Sequence, residues 1–236
     1  MSVTNLAAGG VTELATADGT VLHAETIGRA DAPVTVLLVH GWTCSTRSWH
    51  NQLAALPHLL GVDVRVVAYD QRGHGLSSLA PEGTTTMAHL AGDLAHVVET
   101  LVPAGRIVYA GHSMGGMALM ELGAQRPELV RERFAGVTFV STSAGRISSH
   151  PFGLPARFEG AAAAIMPRAT AVAGRRADRR ARRFPQTRRG RAGAELTVSR
   201  VQRPGLRYVA FGQRPDRREV DVLAADLART PGASLT

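Results

Sequence analysis

"AGHSMGG", residues 110–116, decides how this chain is read. Ser113 stands between Gly111 and Gly115, after the apolar run 106–110 and before the helix-like run 117–125. Strand, G-x-S-x-G, helix is the context in which a serine can sit on a sharp turn with its hydroxyl lifted clear of a sheet. The glycines have a steric reason. So tight a turn forces strained dihedrals on the serine, and side chains two residues to either side would collide. The helix that follows aims N–H groups at the point where negative charge develops in acyl transfer. Ser113 is therefore the candidate catalytic nucleophile. A phosphate-binding loop is the rival for any glycine-rich turn before a helix, but this turn carries neither G-x-x-x-x-G-K-[ST] nor G-x-G-x-x-G.

Outward from that turn, the chain alternates apolar strands with helices. Residues 11–16 and 20–27 are β-rich runs around Asp18-Gly19, a hairpin signal. Run 34–40, apolar up to His40-Gly41, reads as a strand buried on both faces, and 64–69 as another buried run. Residues 48–60 and 86–101 have helical spacing, the second through Met87, Leu90, Leu94, Val97, Val98 and Leu101. Strand 107–110, the Ser113 turn, helix 117–125 ending near Pro127, and strand 137–140 follow. This alternation predicts an α/β fold with a mostly parallel, twisted sheet flanked by helices. Ligands bind beyond the carboxyl ends of such strands, where His40-Gly41, Asp70 and Ser113 all fall. After residue 144 the pattern weakens; 161–165 and 220–228 read as helical.

Composition narrows the class. A chain of 236 residues holds one α/β domain, or a core with a small appendage. No apolar run approaches membrane-spanning length, and residues 1–19 lack the basic and apolar regions of a secretory signal, so a cytoplasmic protein with no membrane partner is expected. The single cysteine, Cys44, rules out an intrachain disulfide and suits a reducing compartment. All 27 basic residues are arginine. Residues 1–145 hold 8 Arg and 12 Asp/Glu, whereas 146–236 hold 19 Arg and 7 Asp/Glu. The arginines crowd 175–191, which has one aromatic, Phe184, and no nucleic-acid-binding motif, so the segment reads as a solvated face and no nucleic-acid partner is expected.

Three motifs in order, "HGW" (40–42), "YDQRGHGLS" (69–77) and "GHSMGG" (111–116), resemble the α/β-hydrolase superfamily, most closely its soluble esterase-like members with a helical cap. The resemblance covers 11–145 and divides the chain into a core, 1–145, and a partial, arginine-rich cap region, 146–236. Within the latter, "FGQRPDRREVDVLAADLART" (211–230) is similar to a cap helix. It implies Ser113 as nucleophile, and the backbone N–H groups of Met114 and of Trp42, next to Gly41, as oxyanion-hole donors. By the same resemblance His40 and His112 orient loops, and Asp70, Arg72 and His74 brace the turn after the fourth strand. Cys44 reads as a small packed residue. No cofactor or metal is implied, and the substrate expected is a small-molecule ester or related acyl compound. A serine at the elbow disfavours relatives that use aspartate there, such as haloalkane dehalogenases and typical epoxide hydrolases. It does not separate carboxylesterases, C–C-bond hydrolases, perhydrolases and small acyltransferases.

Serine needs a base to take its proton, and the base needs an acid to hold its tautomer. In this superfamily the order is Ser, Asp or Glu, then His. The nine histidines here are at 23, 40, 50, 58, 74, 89, 96, 112 and 150. His150 reads as a surface-loop residue, and Asp216, Glu219, Asp221 and Asp226 lie in the cap-like segment, so none matches the acid or the base. The expectation is a chain that stops inside the cap, before the last two strands. Turnover would then be impaired, since losing the base costs about 10⁶ while the oxyanion hole and binding leave about 10³ over water. Strand 137–140 would be an apolar sheet edge that favours self-association. The alternatives are a non-catalytic remnant or interaction module, and an acid and base supplied by another chain.

Overall fold

Six strands, β1 (Gly10–Ala15), β2 (Val21–Ile27), β3 (Val34–Val39), β4 (Val64–Tyr69), β5 (Arg106–His112) and β6 (Phe134–Val140), form one sheet in the order β1-β2-β4-β3-β5-β6. The computed structural model of the chain describes residues 9–61, 63–144 and 216–229. β1 and β2 are an antiparallel hairpin, and β2 joins β4 antiparallel; β4, β3, β5 and β6 are mutually parallel. The helices are α1 (His50–Leu60), α2 (Met87–Leu101), α3 (Met114–Gln125), α4 (Pro127–Arg133) and α5 (Arg217–Arg229), with a 3-10 turn over Thr46–Trp49.

The two-residue period of a strand divides the core into two layers. Leu37, Val39, Val67, Tyr69, Ile107 and Tyr109 pack with α2 and α3 residues including Leu94, Val98, Leu119 and Leu122. Val36, Leu38, Val66 and Ala68 turn the other way, onto Trp49 and Leu53. Thus 35–40 and 66–69 are buried on both faces, while Val34, Val64 and Arg65 at the strand starts are half-buried. Helix α2 begins at Thr86, whose Oγ1 accepts the His89 N–H at 3.4 Å. Its buried Leu90, Leu94, Val97, Val98 and Leu101 each contribute about 1.5–3 kcal/mol of burial.

Three details depart from the sequence reading. Helix α3 starts at Met114, not 117, because the chain enters it straight from the serine turn. Pro127 opens a further short helix, α4, where a fixed proline φ is tolerated in the first turn. Residues 46–49 form a 3-10 turn, so α1 proper begins at His50. The helix expected at 220–228 is present as α5. The helix expected at 161–165, His150 and the arginines of 175–191 lie outside the described residues. β6 ends the sheet among the described residues, and its Val137 and Phe139 are 41% and 48% exposed.

Candidate active site

The parallel register brings three loops to one edge of the sheet. Val39 pairs with Tyr69 and with Gly111, and His112 with Val140, so the segments starting at His40, Asp70 and Ser113 leave the sheet side by side. Ser113 has φ 49° and ψ −114°, a conformation that β-carbon sterics disfavour for any residue but glycine. Such a conformation persists only where the surroundings over-determine it. Here the Ser113 N–H donates to Val140 O at 2.9 Å, and the Ser113 carbonyl accepts the N–H groups of Gly116 (3.0 Å) and Met117 (3.2 Å) and the Thr142 hydroxyl (3.0 Å). The buried Tyr109 hydroxyl donates to Gly115 O at 2.6 Å. The serine side chain makes no capping hydrogen bond to the helix it precedes, and the residue is half-buried.

Close approach explains two glycines. A β-carbon on Gly115 would lie 2.5 Å from Val39 O and 2.8 Å from His40 O, both backbone atoms with no freedom to retreat. One on Gly41 would lie 2.7 Å from His112 Nδ1 and 3.0 Å from Ser113 Cβ. The loop after β3 therefore rests directly on the serine turn. Trp42 follows Gly41 and is 42% exposed; Met114, after Ser113, is buried as the first residue of α3. The first N–H groups of a helix have no intrahelical acceptor.

The His40 ring is fully buried and its tautomer is fixed. Its Nδ1 faces Gly41 O at 2.7 Å, and its Nε2 accepts the Gln71 N–H at 2.9 Å, so the proton belongs on Nδ1. Burial pushes His40 down to about 4 and His74 likewise to about 4, and their rings lie 5.4 Å apart. Burial also lowers His112. His40 and His74 are thus neutral spacers, and His112 is the wall beside Gly41. Asp70 accepts backbone N–H groups from Thr46 (2.6 Å) and Leu76 (2.8 Å), which ties the loop after β3 to the turn after β4; burial raises its carboxyl. Arg72 spans Asp93 with two bonds of 2.6 Å and reaches Asp18 at 2.7 Å. The bracing expected of Asp70, Arg72 and His74 is what these contacts perform. Cys44 is buried, and burial raises its thiol, the opposite of nucleophile activation.

Thr142, Tyr109 and Ser45 contribute to the site and carried no motif signal. Thr142 lies past β6, and only the fold brings its hydroxyl under the Ser113 carbonyl. Among the described residues no group of three or more His, Cys, Asp or Glu is disposed to hold a metal ion, and no helix is long and apolar enough to cross a membrane.

A family model described as alpha/beta hydrolase fold matches residues 34–202. Similar proteins include a bifunctional esterase/perhydrolase of Acinetobacter calcoaceticus, 36% identical over 140 residues, 59% of this chain and 49% of that protein. A non-heme chloroperoxidase of Streptomyces lividans is 38% identical over 101 residues, 43% of this chain and 34% of that one. The chain spans about half the length of these curated relatives, or less. Among solved structures, a Vigna radiata epoxide hydrolase aligns at a TM-score of 0.58 with 21% identity, covering 96% of this chain and 70% of the other. A carboxylesterase of a Nitrososphaera species aligns at 0.56 with 21% identity, covering 94% and 68%. At that identity the structural likeness speaks for the fold.

Proposed function

The chain belongs to the α/β-hydrolase family, and on that premise we propose that it is built for acyl transfer from a small-molecule ester or related acyl compound, with Ser113 as nucleophile and the backbone N–H groups of Trp42 and Met114 as oxyanion donors. The observation that carries this is the contact between Gly41 and the Ser113 turn, 3.0 Å to the serine β-carbon from where a Gly41 β-carbon would stand. It sets the start of the Trp42 loop beside the residue that would be acylated. The N-terminus of α3 supplies the second donor and a favourable dipole.

In this mechanism the Ser113 hydroxyl adds to the acyl carbon, and the carbonyl oxygen takes up negative charge between the two amides. The serine proton passes to solvent as the Oγ–C bond forms. Collapse breaks the ester C–O bond, and the departing alkoxide takes a proton from solvent and leaves as the alcohol. Water then attacks the acyl-serine to free the acid and restore the Ser113 hydroxyl. A preorganised donor in such a hole is worth about 3 kcal/mol at the transition state. Of the histidines described, His40 and His74 are sealed and neutral, which suits them to holding loops and not to shuttling protons. Turnover on this reading rests on the nucleophile and the oxyanion hole. The esterase/perhydrolase relative supports the choice of ester substrates.

Hydrolysis of short-chain nitrophenyl esters by the wild type and by Ser113→Ala tests the proposal. Slow turnover above the buffer rate that disappears in Ser113→Ala is expected. Equal rates in both proteins would remove Ser113 from catalysis and favour a non-catalytic interaction module.

A further inference from the structure

We propose that Asp226, in the last third of α5, is a positioning residue that holds the loop after β3 in its donor-presenting shape; this rests on the reading of Trp42 as an oxyanion donor. The loop is short and strained. Between the end of β3 and the 3-10 turn at Thr46, Thr43 takes φ 61°, and the Cys44 N–H closes a tight turn onto Gly41 O at 3.2 Å. A loop with a non-glycine residue in the left-handed region needs anchors at both ends to keep that shape.

At its start the anchor is Gly41 against the serine turn. At its far end there are two consecutive anchors. Thr46 donates its N–H to Asp70 at 2.6 Å and its hydroxyl to Glu25 at 3.0 Å, both from the strand side of the core. Ser45 donates its hydroxyl to Asp226 Oδ2 at 2.7 Å, across 181 residues of sequence, while its Oγ accepts the Arg47 N–H at 3.3 Å to cap the 3-10 turn. Ser45 and Asp226 are both 1% exposed. Arg47 stands 3.8 Å from the other carboxylate oxygen.

A carboxylate is rarely buried without a charged or hydrogen-bonding partner. This one receives a charge-assisted bond from a serine placed three residues after Trp42. Elsewhere on α5, Glu219 meets Asn51 at 3.4 Å and His50 at 3.7 Å, both on α1. Buried Val220 and Ala224 seat the helix. Asp226 is a residue through which α5 grips the loop itself. Removing its oxygens frees the Ser45 hydroxyl and with it the end of the turn that aims the Trp42 amide. A misplacement of 1 Å near a reacting centre costs on the order of 10²-fold.

The test uses the full chain as wild type, Asp226→Ala, Asp226→Asn and Ser113→Ala, with two readouts. Backbone amide exchange of the peptide spanning 41–49 reads the loop directly. The rate of fluorophosphonate labelling at Ser113 reads its consequence. Faster exchange confined to 41–49 and labelling slowed at least tenfold are expected in Asp226→Ala. Asp226→Asn, which keeps an acceptor oxygen for Ser45, should recover most of both, a rescue that a mere loss of helix seating would not give. Wild-type exchange and labelling in both Asp226 variants would overturn the proposal. If the wild type shows no Ser113-dependent labelling, the nucleophile reading fails, and the exchange readout alone still decides whether Asp226 holds the loop.

Discussion

The place a β-carbon would take on Gly41 lies 3.0 Å from the β-carbon of Ser113. Two loops from parallel strands that are neighbours in the sheet, β3 and β5, therefore meet closely here, with the His112 ring packed against Gly41. Gly41→Ala puts a methyl group where His112 Nδ1, at 2.7 Å, already stands. Either the imidazole or the loop must move. Ser113-dependent ester hydrolysis is expected to fall about a hundredfold, with secondary structure intact by circular dichroism. Unchanged kcat/KM in Gly41→Ala would mean the loop takes no part in binding the oxyanion.

Gly115→Ala separates stability from chemistry. Its methyl group would meet the carbonyl oxygens of Val39 and His40 at 2.5 and 2.8 Å, in backbone that cannot rotate away. Overpacking of this kind costs about 1–3 kcal/mol. Urea unfolding should show a loss in that range, and a variant as stable as the wild type would refute the close approach of α3 to the end of β3.

Buried imidazoles give a pH dependence whose sign can be worked out. His40 and His74 have folded values of about 4 against 6.5 for the ordinary side chain, so the unfolded chain binds more protons between those limits. Their contribution to stability is complete above about pH 6.5 and is lost as pH falls toward 4, by a few kcal/mol in total. Burial raises the carboxyls of Asp70 and Asp93, which acts in the opposite sense from about pH 3.8 upward. The histidine contribution is therefore read site by site. Nitrogen NMR should show both rings neutral at pH 6, with the His40 proton on Nδ1 as its bonds to Gly41 and Gln71 require. Titration of either ring near 6.5 would contradict its burial.

The Arg72–Asp93 pair offers a contrast with a surface pair. Both partners are buried and joined by two 2.6 Å bonds, whereas Arg29 and Asp31, also 2.6 Å apart, lie open to solvent. Asp93→Ala should cost about 3–5 kcal/mol by leaving a buried guanidinium with part of its partners. Asp31→Ala should leave stability nearly unchanged, because water and salt screen the exposed pair. Similar losses in chemical denaturation would show that burial does not set the difference.

The exposed apolar face of β6 predicts association. Among the described residues Val137, Phe139 and Val140 lie on the strand that ends the sheet, and a strand of this composition, where it is left open, templates pairing. Sedimentation velocity should show a concentration-dependent species that Phe139→Lys reduces. A monomer at all concentrations would dispose of the idea.

Legibility from sequence followed physical range. The buried strands were readable because an apolar run flanked by turn residues is a local signal, as at 34–40 and 64–69. That Ser113 lies on a turn between a strand and a helix is legible because G-x-S-x-G is built from contiguous residues. The start of α3 was misplaced because Gly115 and Gly116 look like turn residues; Gly115 is small to clear the β3 carbonyls, a contact between distant segments. Thr142 under the Ser113 carbonyl, Ser45 and its bond to Asp226, and the burial of Asp93 are likewise products of tertiary neighbours, which no spacing announces. Pro127 read as a stop because a proline ends the helix before it; that it also begins α4 depends on the packing of Leu129.

The most direct measurement is covalent. Wild type and Ser113→Ala are treated with a fluorophosphonate and the adducts are mapped by peptide mass spectrometry. If Ser113 is the nucleophile proposed, the wild type should give a single adduct on the peptide containing Ser113, absent from Ser113→Ala. An unmodified Ser113 in the wild type, or equal labelling of the two proteins, would contradict the account.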